Sequence, residues 1–270
     1  MNIELSVIIV NYNGLKFLTD CLNSLKINLI GISHEIIIID NDSKDESCDF
    51  IKQNFPEVIL IESKINHGFG KGNNEAVKQS RGENLLLINN DTIVLDNLKP
   101  VLEVLKSDKN IGVIGINMLN AKKEYLPVAG NFPNARNMFQ LIKLLDISPE
   151  FKTGKFTKNQ YEVGWLGGSF LMLSKEIYTA IKGFDEDYFM YVEDVDFCKK
   201  IADIGKKRVF LPNYSYIHFI GFNNSKKPLL IKGYQIYISK HMKGFQKTIC
   251  LLSLKINKTV KNIKTNLKLD

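Results

Sequence analysis

Short apolar runs alternate with amphipathic segments through the first 116 residues. Five runs have the length and the β-branched or leucine-rich content of buried strands, at 5–10, 35–39, 58–61, 85–88 and 111–114. Four intervening segments repeat their apolar residues at helical spacing, at 15–25, 45–55, 73–80 and 98–106. Strands that alternate with helices predict an α/β fold, with a mostly parallel central sheet flanked by helices.

The regular alternation stops after Asn117 and returns near residue 168. The intervening segment, 117–163, holds Pro127, Pro133 and Pro149 and one helical patch near 138–145, which predicts a variable insertion. Regular elements then follow, with a strand at 168–173, a helix at 194–204 and a final short strand at 209–212. We predict one domain over 1–225, divided into two halves near residue 116, and a helical tail over 226–270.

Composition indicates a globular protein of a reducing compartment. The chain has 270 residues, enough for one large domain, and no apolar run is long enough to span a bilayer. The first residues lack the basic and apolar regions of a secretory signal. The four cysteines are scattered and form no CxxC pair, as expected for reduced thiols. We therefore expect a cytoplasmic protein.

Positive charge is concentrated at the C-terminus. The net charge is +7, and residues 240–270 hold eight lysines and one acid, Asp270. Apolar residues recur there at steps of three or four and predict a basic amphipathic helix, at Ile249, Leu252, Ile256, Val260, Ile263 and Leu267. Such a helix can associate with the inner face of the cytoplasmic membrane, pack back on the domain or contact a second copy. Because the rest of the chain is nearly balanced in charge, we expect no nucleic-acid partner.

Small polar residues follow three of the predicted strands. They form three clusters, at 11–14, 40–43 and 89–91. Asn, Asp and Ser also favour turns and helix caps, which is the simpler interpretation of any single cluster. Ligands of doubly wound sheets bind beyond the carboxyl ends of the strands, where these clusters would meet. The three clusters together therefore predict a ligand site.

The chemistry of these clusters suits a nucleotide and a metal ion. Asp40 and Asn41 offer acceptors for a base N–H and for ribose hydroxyls, and the ring of Tyr12 can lie against a base. Asp91 suits Mg²⁺ or Mn²⁺, which prefer oxygen ligands and bridge phosphates. A glycine-rich segment at 66–74 matches neither the GxGxxG nor the Walker pattern, so it is either a phosphate contact or a plain helix cap.

Acidic and aromatic residues alternate between Gly183 and Asp196. Acids at the start of a helix are favoured by capping and the helix dipole, and this interpretation suits Asp185 and Asp196. Aromatic neighbours can also desolvate a carboxylate and raise its pKa toward that of a useful base. We assign this chemical role to Asp194.

The motifs together resemble a known family. They occur in the order 7–13, 39–43, 66–74, 89–91, 167–172 and 183–196. This set resembles family 2 glycosyltransferases of the GT-A fold, and in particular their bacterial rhamnosyltransferase-like branch, over roughly residues 4–222. The resemblance implies an inverting transferase that moves a sugar from a nucleotide-diphosphate donor to a hydroxyl of a glycan or polyprenyl-diphosphate-linked acceptor, in the synthesis of cell-envelope polysaccharide. By this resemblance 1–116 is the nucleotide-binding half and 117–225 the acceptor and catalytic half.

The resemblance also implies roles for individual residues. Asp194 is the catalytic base, with Glu193 beside it, and Trp165 and Gly168 lie in the acceptor pocket. Asp91 and His218 hold a divalent metal, Mg²⁺ or Mn²⁺. The residues expected to bind the nucleotide-sugar are Val10, Tyr12, Asp40, Asn41, Asn73 and Asn90. The metal motif reads Asn89-Asn90-Asp91, with one carboxylate, and Asn41 stands where many relatives have Asp, which leaves UDP, dTDP and GDP as donor nucleotides.

Two other interpretations remain. A sugar nucleotidyltransferase shares the parallel sheet and the metal, but it should carry a glycine-rich basic loop after the first strand, where this chain has Asn11-Tyr12-Asn13-Gly14. A non-catalytic relative at a membrane surface should have lost the acids at 91 and 194, and both are present.

Overall fold

The structure, a computed structural model, describes residues 2–219 and 227–266, with side chains as far as Val260. Twelve strands are present in this part of the chain: β1 Leu5–Asn11, β2 His34–Asp40, β3 Ile59–Glu62, β4 Asn84–Asn89, β5 Thr92–Val94, β6 Ile111–Leu119, β7 Tyr125–Leu126, β8 Ala129–Gly130, β9 Tyr161–Glu162, β10 Trp165–Leu166, β11 Phe170–Ser174 and β12 Lys207–His218. The α-helices of the same ranges are α1 Leu15–Asn28, α2 Ser47–Asn54, α3 Gly68–Val77, α4 Lys99–Ser107, α5 Ala135–Phe139, α6 Pro149–Thr153, α7 Lys175–Ala180, α8 Glu193–Asp203, α9 Lys227–His241 and α10 Gly244–Asn266, with a 3-10 turn at Leu141–Leu145.

Ten strands form one sheet. Its main order is β3-β2-β1-β4-β11-β6-β12-β5, with β7 beside β6 and β9 beside β12. The strands β3, β2, β1 and β4 are parallel, and β11 enters antiparallel between β4 and β6. The register aligns Asn11 with Asp40 and Val10 with Asn89, so the polar clusters after β1, β2 and β4 meet at one edge. The α/β fold with a central sheet flanked by helices is confirmed.

Apolar alternation decides the elements of the first half. β1 and β2 are buried along almost their whole length, as a parallel strand covered on both faces requires. Leu18, Leu22 and Leu25 of α1 are buried against the sheet at the predicted helical spacing. The largest boundary differences are at α3, which begins at Gly68 rather than Asn73, and at β6, which continues to Leu119 rather than ending at Ile114. Part of the glycine-rich segment therefore forms the start of a helix.

The elements of the second half depart further from the sequence prediction. β12 does not end at Pro212 but continues to His218, and its pairing with β6 shifts register between Leu211 and Ser215. Its last residues pair with the short strand β5, so that His218 lies opposite Thr92. Neither this extension nor β5 is visible in the hydrophobic pattern, because both are short, irregular and partly exposed.

The two C-terminal helices pack on the domain. Tyr234, Tyr237 and Ile238 of α9 and Cys250 and Leu254 of α10 share one buried cluster with residues of α8 and of the 135–145 segment. One face of the tail is therefore core over the described residues. The predicted boundary at 225/226 and the tail residues beyond Asn266 lie outside the described ranges, and the division near residue 116 stays a prediction.

A helix that crosses a bilayer must be both long and apolar. Within the described residues, none is long and apolar enough to cross a membrane.

We expect α9 to contribute to stability as a core element. Ile238→Ala should lower the free energy of unfolding by about 2–5 kcal/mol, because Ile238 is fully buried and the substitution leaves a cavity. The matched control, Leu252→Ala on the exposed side of α10, should change it by less than about 0.5 kcal/mol. Urea unfolding measures both, and equal effects would contradict the packing described here.

Candidate functional site

A cavity of about 460 Å³ opens where the carboxyl ends of β1 and β4 meet the start of α8. Ten of the twelve residues proposed from the sequence line it: Val10, Tyr12, Asn41, Asn90, Asp91, Trp165, Gly168, Glu193, Asp194 and His218. The other two, Asp40 and Asn73, are not among its lining residues. The sheet register, the β12 extension and the start of α8 thus bring three distant parts of the chain to one place.

Asp40 and Asn73 are engaged within the protein. The Asp40 carboxylate accepts hydrogen bonds from the Ser43 backbone N–H at 2.8 Å, the Ser43 hydroxyl at 2.7 Å and the Asn11 amide at 2.7 Å. The Asn73 amide donates to the Phe69 carbonyl inside α3 at 3.0 Å. In this geometry Asp40 joins the ends of β1 and β2 and shapes the cavity, and neither residue has a side chain on its wall.

Asn41 offers a buried acceptor on the cavity wall beside Gly68. Its side-chain nitrogen donates to the Gly68 carbonyl at 2.9 Å, which fixes the amide orientation. Its Oδ1 is buried and makes no hydrogen bond to any described residue. A buried acceptor without a partner is costly, so this atom suits a ligand N–H.

Gly68 brings the glycine-rich segment against the acidic one. It has φ +75°, and a Cβ there would lie 2.2 Å from the Phe189 carbonyl oxygen. The Phe69 N–H donates to this same carbonyl at 3.1 Å. Only glycine allows both the conformation and the approach, so the first turn of α3 serves to close the cavity wall.

Asp91 and His218 meet on another part of the cavity wall. His218 Nε2 lies 3.1 Å from Asp91 Oδ1 and 3.3 Å from the Asn89 amide nitrogen. The Asn90 amide donates to Asn11 Oδ1 at 2.6 Å, which ties this loop to β1. The pairing of β12 with β5 produces the Asp91–His218 contact, and no feature of the local sequence predicts its distance.

A divalent metal ion at this position would need several oxygen or nitrogen ligands. No group of three or more His, Cys, Asp or Glu that could hold an ion occurs among the residues the structure describes. Asp91 and His218 together supply one carboxylate and one imidazole on the cavity wall. Two protein ligands suit Mg²⁺ or Mn²⁺ when diphosphate oxygens and water complete the shell, so the residues fit such an ion.

The Glu193-Asp194 pair enters the cavity from a left-handed turn. Tyr191 and Val192 have φ values of 69° and 74°, a conformation that is unfavourable for a β-branched residue such as Val192. Directly after them α8 begins, and Asp194 accepts hydrogen bonds from the N–H groups of Gly168 at 3.1 Å and Val195 at 2.8 Å. The turn therefore aims the first two carboxylates of the helix at the cavity.

Burial raises the pKa of both carboxyl groups. For Asp194 the rise is opposed by hydrogen bonds from the Gly168 and Val195 N–H groups, which favour its charged form. For Glu193 burial is joined by the negative charge of Asp194, so its pKa lies well above the usual carboxyl range. Its Oε2 makes no hydrogen bond among the described residues. Both carboxyl groups thus hold a proton more readily than exposed ones, and the backbone N–H groups that contact Asp194 favour its charged form.

Helix α9 holds this turn from behind. A Cβ at Gly233 would lie 2.5 Å from the Tyr191 carbonyl oxygen and 2.9 Å from Val192 Cβ, so the helix backbone packs directly on the turn. His241 at the end of α9 pairs with buried Asp196 at 2.6 Å. The sequence interpretation of Asp196 as a cap missed this partner, because the two residues are 45 positions apart.

The cavity wall around Trp165 is mostly apolar. The Trp165 indole donates to the Asn131 carbonyl at 2.9 Å while its ring faces the cavity. Met118, Pro127 and Met190 also line this side. The first two belong to the 117–163 insertion, whose sequence showed no motif that would have identified them.

Known proteins resemble this chain in sequence and in fold. The profile of glycosyl transferase family 2 matches residues 6–178, more than half of the chain. The chain belongs to glycosyl transferase family 2. The resemblance to this family expected from the motifs is thereby confirmed.

Two curated proteins share sequence similarity with most of this chain. The low-salt glycan biosynthesis hexosyltransferase Agl10 of Haloferax volcanii is 29% identical over 205 residues, 72% of this chain and 60% of that protein. The chain therefore spans less than two thirds of this relative. The N-acetylglucosaminyl-diphospho-decaprenol L-rhamnosyltransferase of Mycobacterium tuberculosis is 24% identical over 220 residues, 72% of this chain and 69% of that protein.

Solved structures of glycosyltransferases share the GT-A fold. GalNAc-T7 with UDP, GalNAc and Mn²⁺ matches with a TM-score of 0.64 and 18% identity, over 82% of this chain and 44% of that one. The mannosyltransferase PcManGT of Pyrobaculum calidifontis, in complex with GDP-Man and Mn²⁺, matches with a TM-score of 0.63 and 13% identity, over 97% of this chain and 75% of that one. At these identities the likeness establishes the fold alone.

The raised pKa of Glu193 predicts a pH dependence of stability. Because its folded-state pKa exceeds the unfolded value, the contribution of its proton is complete below about pH 4.5 and is lost as pH rises through the folded-state pKa. We expect the free energy of unfolding of the parent protein to fall between about pH 5 and pH 9. Glu193→Gln should flatten that curve and be the more stable form at the alkaline end.

Urea unfolding at a series of pH values measures this difference. Glu57→Gln, on the exposed surface, serves as the matched control and should leave the curve unchanged. Parallel curves for the parent and Glu193→Gln would contradict the assignment of a buried neutral acid.

Proposed function

We propose that the chain is an inverting glycosyltransferase that moves one sugar from a nucleotide-diphosphate donor to a hydroxyl of a glycan or polyprenyl-diphosphate-linked acceptor. The observation that supports it most is the position of Asp194, whose carboxylate is held by two backbone N–H groups in the cavity that also contains Asp91 and His218. A base and a diphosphate-binding pair in one cavity are the two groups that a single displacement needs.

Asp194 acts as the general base in this proposal. The acceptor hydroxyl attacks the anomeric carbon of the donor sugar, its proton passes to Asp194, and the bond to the diphosphate oxygen breaks with its electron pair on the departing nucleotide. The Gly168 and Val195 N–H groups keep the carboxylate oriented and favour its charged form before the attack. Glu193, neutral and adjacent, can donate a hydrogen bond to a sugar hydroxyl without competing for the proton.

Asp91 and His218 bind the leaving group. A Mg²⁺ or Mn²⁺ ion held by these two residues would supply positive charge to the departing diphosphate. Solved GT-A structures with Mn²⁺ support a divalent metal for the fold. A ring N–H of His218 can also donate a hydrogen bond to a phosphate oxygen.

The nucleoside lies against Val10, Tyr12 and Asn41. The Asn41 Oδ1, which lacks a partner among the described residues, accepts from a ring N–H of uracil, thymine or guanine, so UDP-, dTDP- and GDP-sugars are the candidate donors. The half-exposed Tyr12 ring can cover one face of the base. Asp40 takes part through its hydrogen bonds to Asn11 and Ser43 rather than by touching the ligand.

The acceptor approaches along the wall formed by Trp165, Gly168 and the insertion. Relatives named for low-salt glycan biosynthesis and for a diphospho-decaprenol acceptor support a glycan or a lipid-linked acceptor of this kind. We place the reaction in cell-envelope polysaccharide synthesis, in the cytoplasm and at the inner face of the cytoplasmic membrane.

Asp194→Asn should separate binding from chemistry. We expect donor affinity to stay within about threefold while the transfer rate falls by about 10²–10⁴-fold, because a positioned base contributes that factor. Isothermal titration with the donor nucleotide and a transfer assay measure the two quantities. Asp203→Asn, at the exposed end of the same helix, is the matched control, and near-normal turnover by Asp194→Asn would refute the assignment.

Asp91→Ala should remove the benefit of added metal. In the parent protein we expect EDTA to abolish donor turnover and Mn²⁺ or Mg²⁺ to restore it, whereas the variant should respond little to either ion. Asp20→Ala, on the exposed face of α1, should behave like the parent. Full activity of the parent in EDTA would show that charged side chains alone stabilise the leaving group.

A further inference from the structure

Two segments that are distant in the sequence adjoin at the surface. Helix α10 packs on the 135–145 segment, where the Asn257 amide donates to the Phe139 carbonyl at 2.7 Å and Met138 shares a buried cluster with Cys250 and Leu254. Both segments also expose large apolar side chains, at Phe139, Ile142, Phe245, Leu252, Ile256 and Val260. We call these six side chains the outer face.

The exposed apolar residues of α10 are not its packing face. Cys250, Leu254 and Asn257 point into the protein and are at most 5% exposed. Leu252, Ile256 and Val260 recur every four residues on another side of the helix and are 38–56% exposed. The helix therefore has a second apolar stripe after its core contacts are complete. Of the thirteen large apolar side chains that are exposed among the described residues, six belong to the outer face, so the exposure is concentrated.

The surroundings of the outer face are basic. No acid occurs in residues 128–145 or 241–260. Five positively charged residues lie within these two segments besides Lys243: Arg136, Lys143, Lys247, Lys255 and Lys258. A second copy of the chain placed on the outer face would bring lysine-rich, acid-free segments together, which electrostatic repulsion opposes.

We infer that the outer face binds the surface of an anionic lipid bilayer. Such a surface offers an apolar interior for the six side chains and negative headgroups for the surrounding lysines and arginine. The association is peripheral, since no described helix can span a bilayer. The 135–145 segment and α10 form the surface jointly, so neither part alone gives full binding.

The 117–163 insertion, which contains the 135–145 segment, links this surface to the cavity. Pro127 and Val128 line the cavity, Asn131 accepts the hydrogen bond of the Trp165 indole, and Phe139 lies on the outer face. A lipid-linked acceptor could thus keep its lipid in the bilayer and present its sugar to the acceptor wall. This last step rests on the proposed function, whereas the bilayer contact does not.

Vesicle sedimentation with the 270-residue chain tests the inference without donor or acceptor. We expect binding to phosphatidylglycerol-containing vesicles at low salt, weak binding to pure phosphatidylcholine, and release at high salt. Leu252→Gln with Ile256→Gln should weaken partitioning by at least about tenfold. Phe139→Gln with Ile142→Gln should weaken it severalfold, and Lys255→Gln with Lys258→Gln by roughly fivefold for each lysine.

Controls keep each outcome decisive. Ile27→Gln with Ile30→Gln changes two equally exposed isoleucines near the end of α1 and should leave vesicle binding unchanged. All these positions are exposed, so thermal unfolding should match the parent, and the lysine variants test the inference independently of any folding defect. If the chain ignores anionic vesicles at low salt, or if the α10 variant binds like the parent, the inference is wrong.

Two further results would contradict the inference. One concerns the joint surface, and the other concerns binding of a second copy instead of lipid. Undiminished binding by the Phe139 and Ile142 variant would exclude the joint surface. A dimer in light scattering that the α10 variant abolishes without lipid would assign the outer face to a second copy. Donor turnover is measured separately, so a failure of the vesicle test leaves the proposed transferase standing, and the reverse also holds.

Discussion

The candidate site depends on one backbone feature, the left-handed turn at Tyr191 and Val192. Two consecutive non-glycine residues in this conformation cost roughly 1–3 kcal/mol each, so the surrounding packing must hold them. Gly233 allows α9 to lie directly on the turn, and Gly68 allows α3 to approach the neighbouring Phe189 carbonyl from the other side. These two close contacts pack against the turn, and the turn directs the first carboxylates of α8 toward the cavity.

The two ends of the cavity are built on different physical grounds. Around Asn41, hydrogen bonds between Asn11, Asp40 and Ser43 join the strand ends, and one oxygen of Asn41 has no partner among the described residues. At the start of α8, burial raises the pKa of both Glu193 and Asp194, and the charge of Asp194 raises that of Glu193 further. One part of the cavity therefore offers a fixed hydrogen-bond acceptor, and the other offers a pair of carboxyl groups with raised pKa values.

The C-terminal helices connect this chemistry to the outside of the molecule. α9 packs on the turn, and its His241 pairs with Asp196. α10 packs on the 135–145 segment and exposes an apolar stripe that has lysines beside it. The 117–163 insertion reaches from the cavity wall at Pro127 and Val128 to that surface at Phe139 and Ile142. The part of the chain with the weakest sequence pattern is therefore the part that joins the site to its surroundings.

The sequence by itself determined the strands and helices of the first half except β5 and the start of α3, and ten of the twelve site residues that it proposed line the cavity. Apolar periodicity reports burial, and parallel strands necessarily bring their carboxyl ends to one edge. The tertiary structure alone decided that Asp40 and Asn73 bond within the protein, that β12 continues to place His218 beside Asp91, and that α9 holds the turn before Asp194. These outcomes depend on contacts between residues tens of positions apart, and local pattern carries no information on such distances.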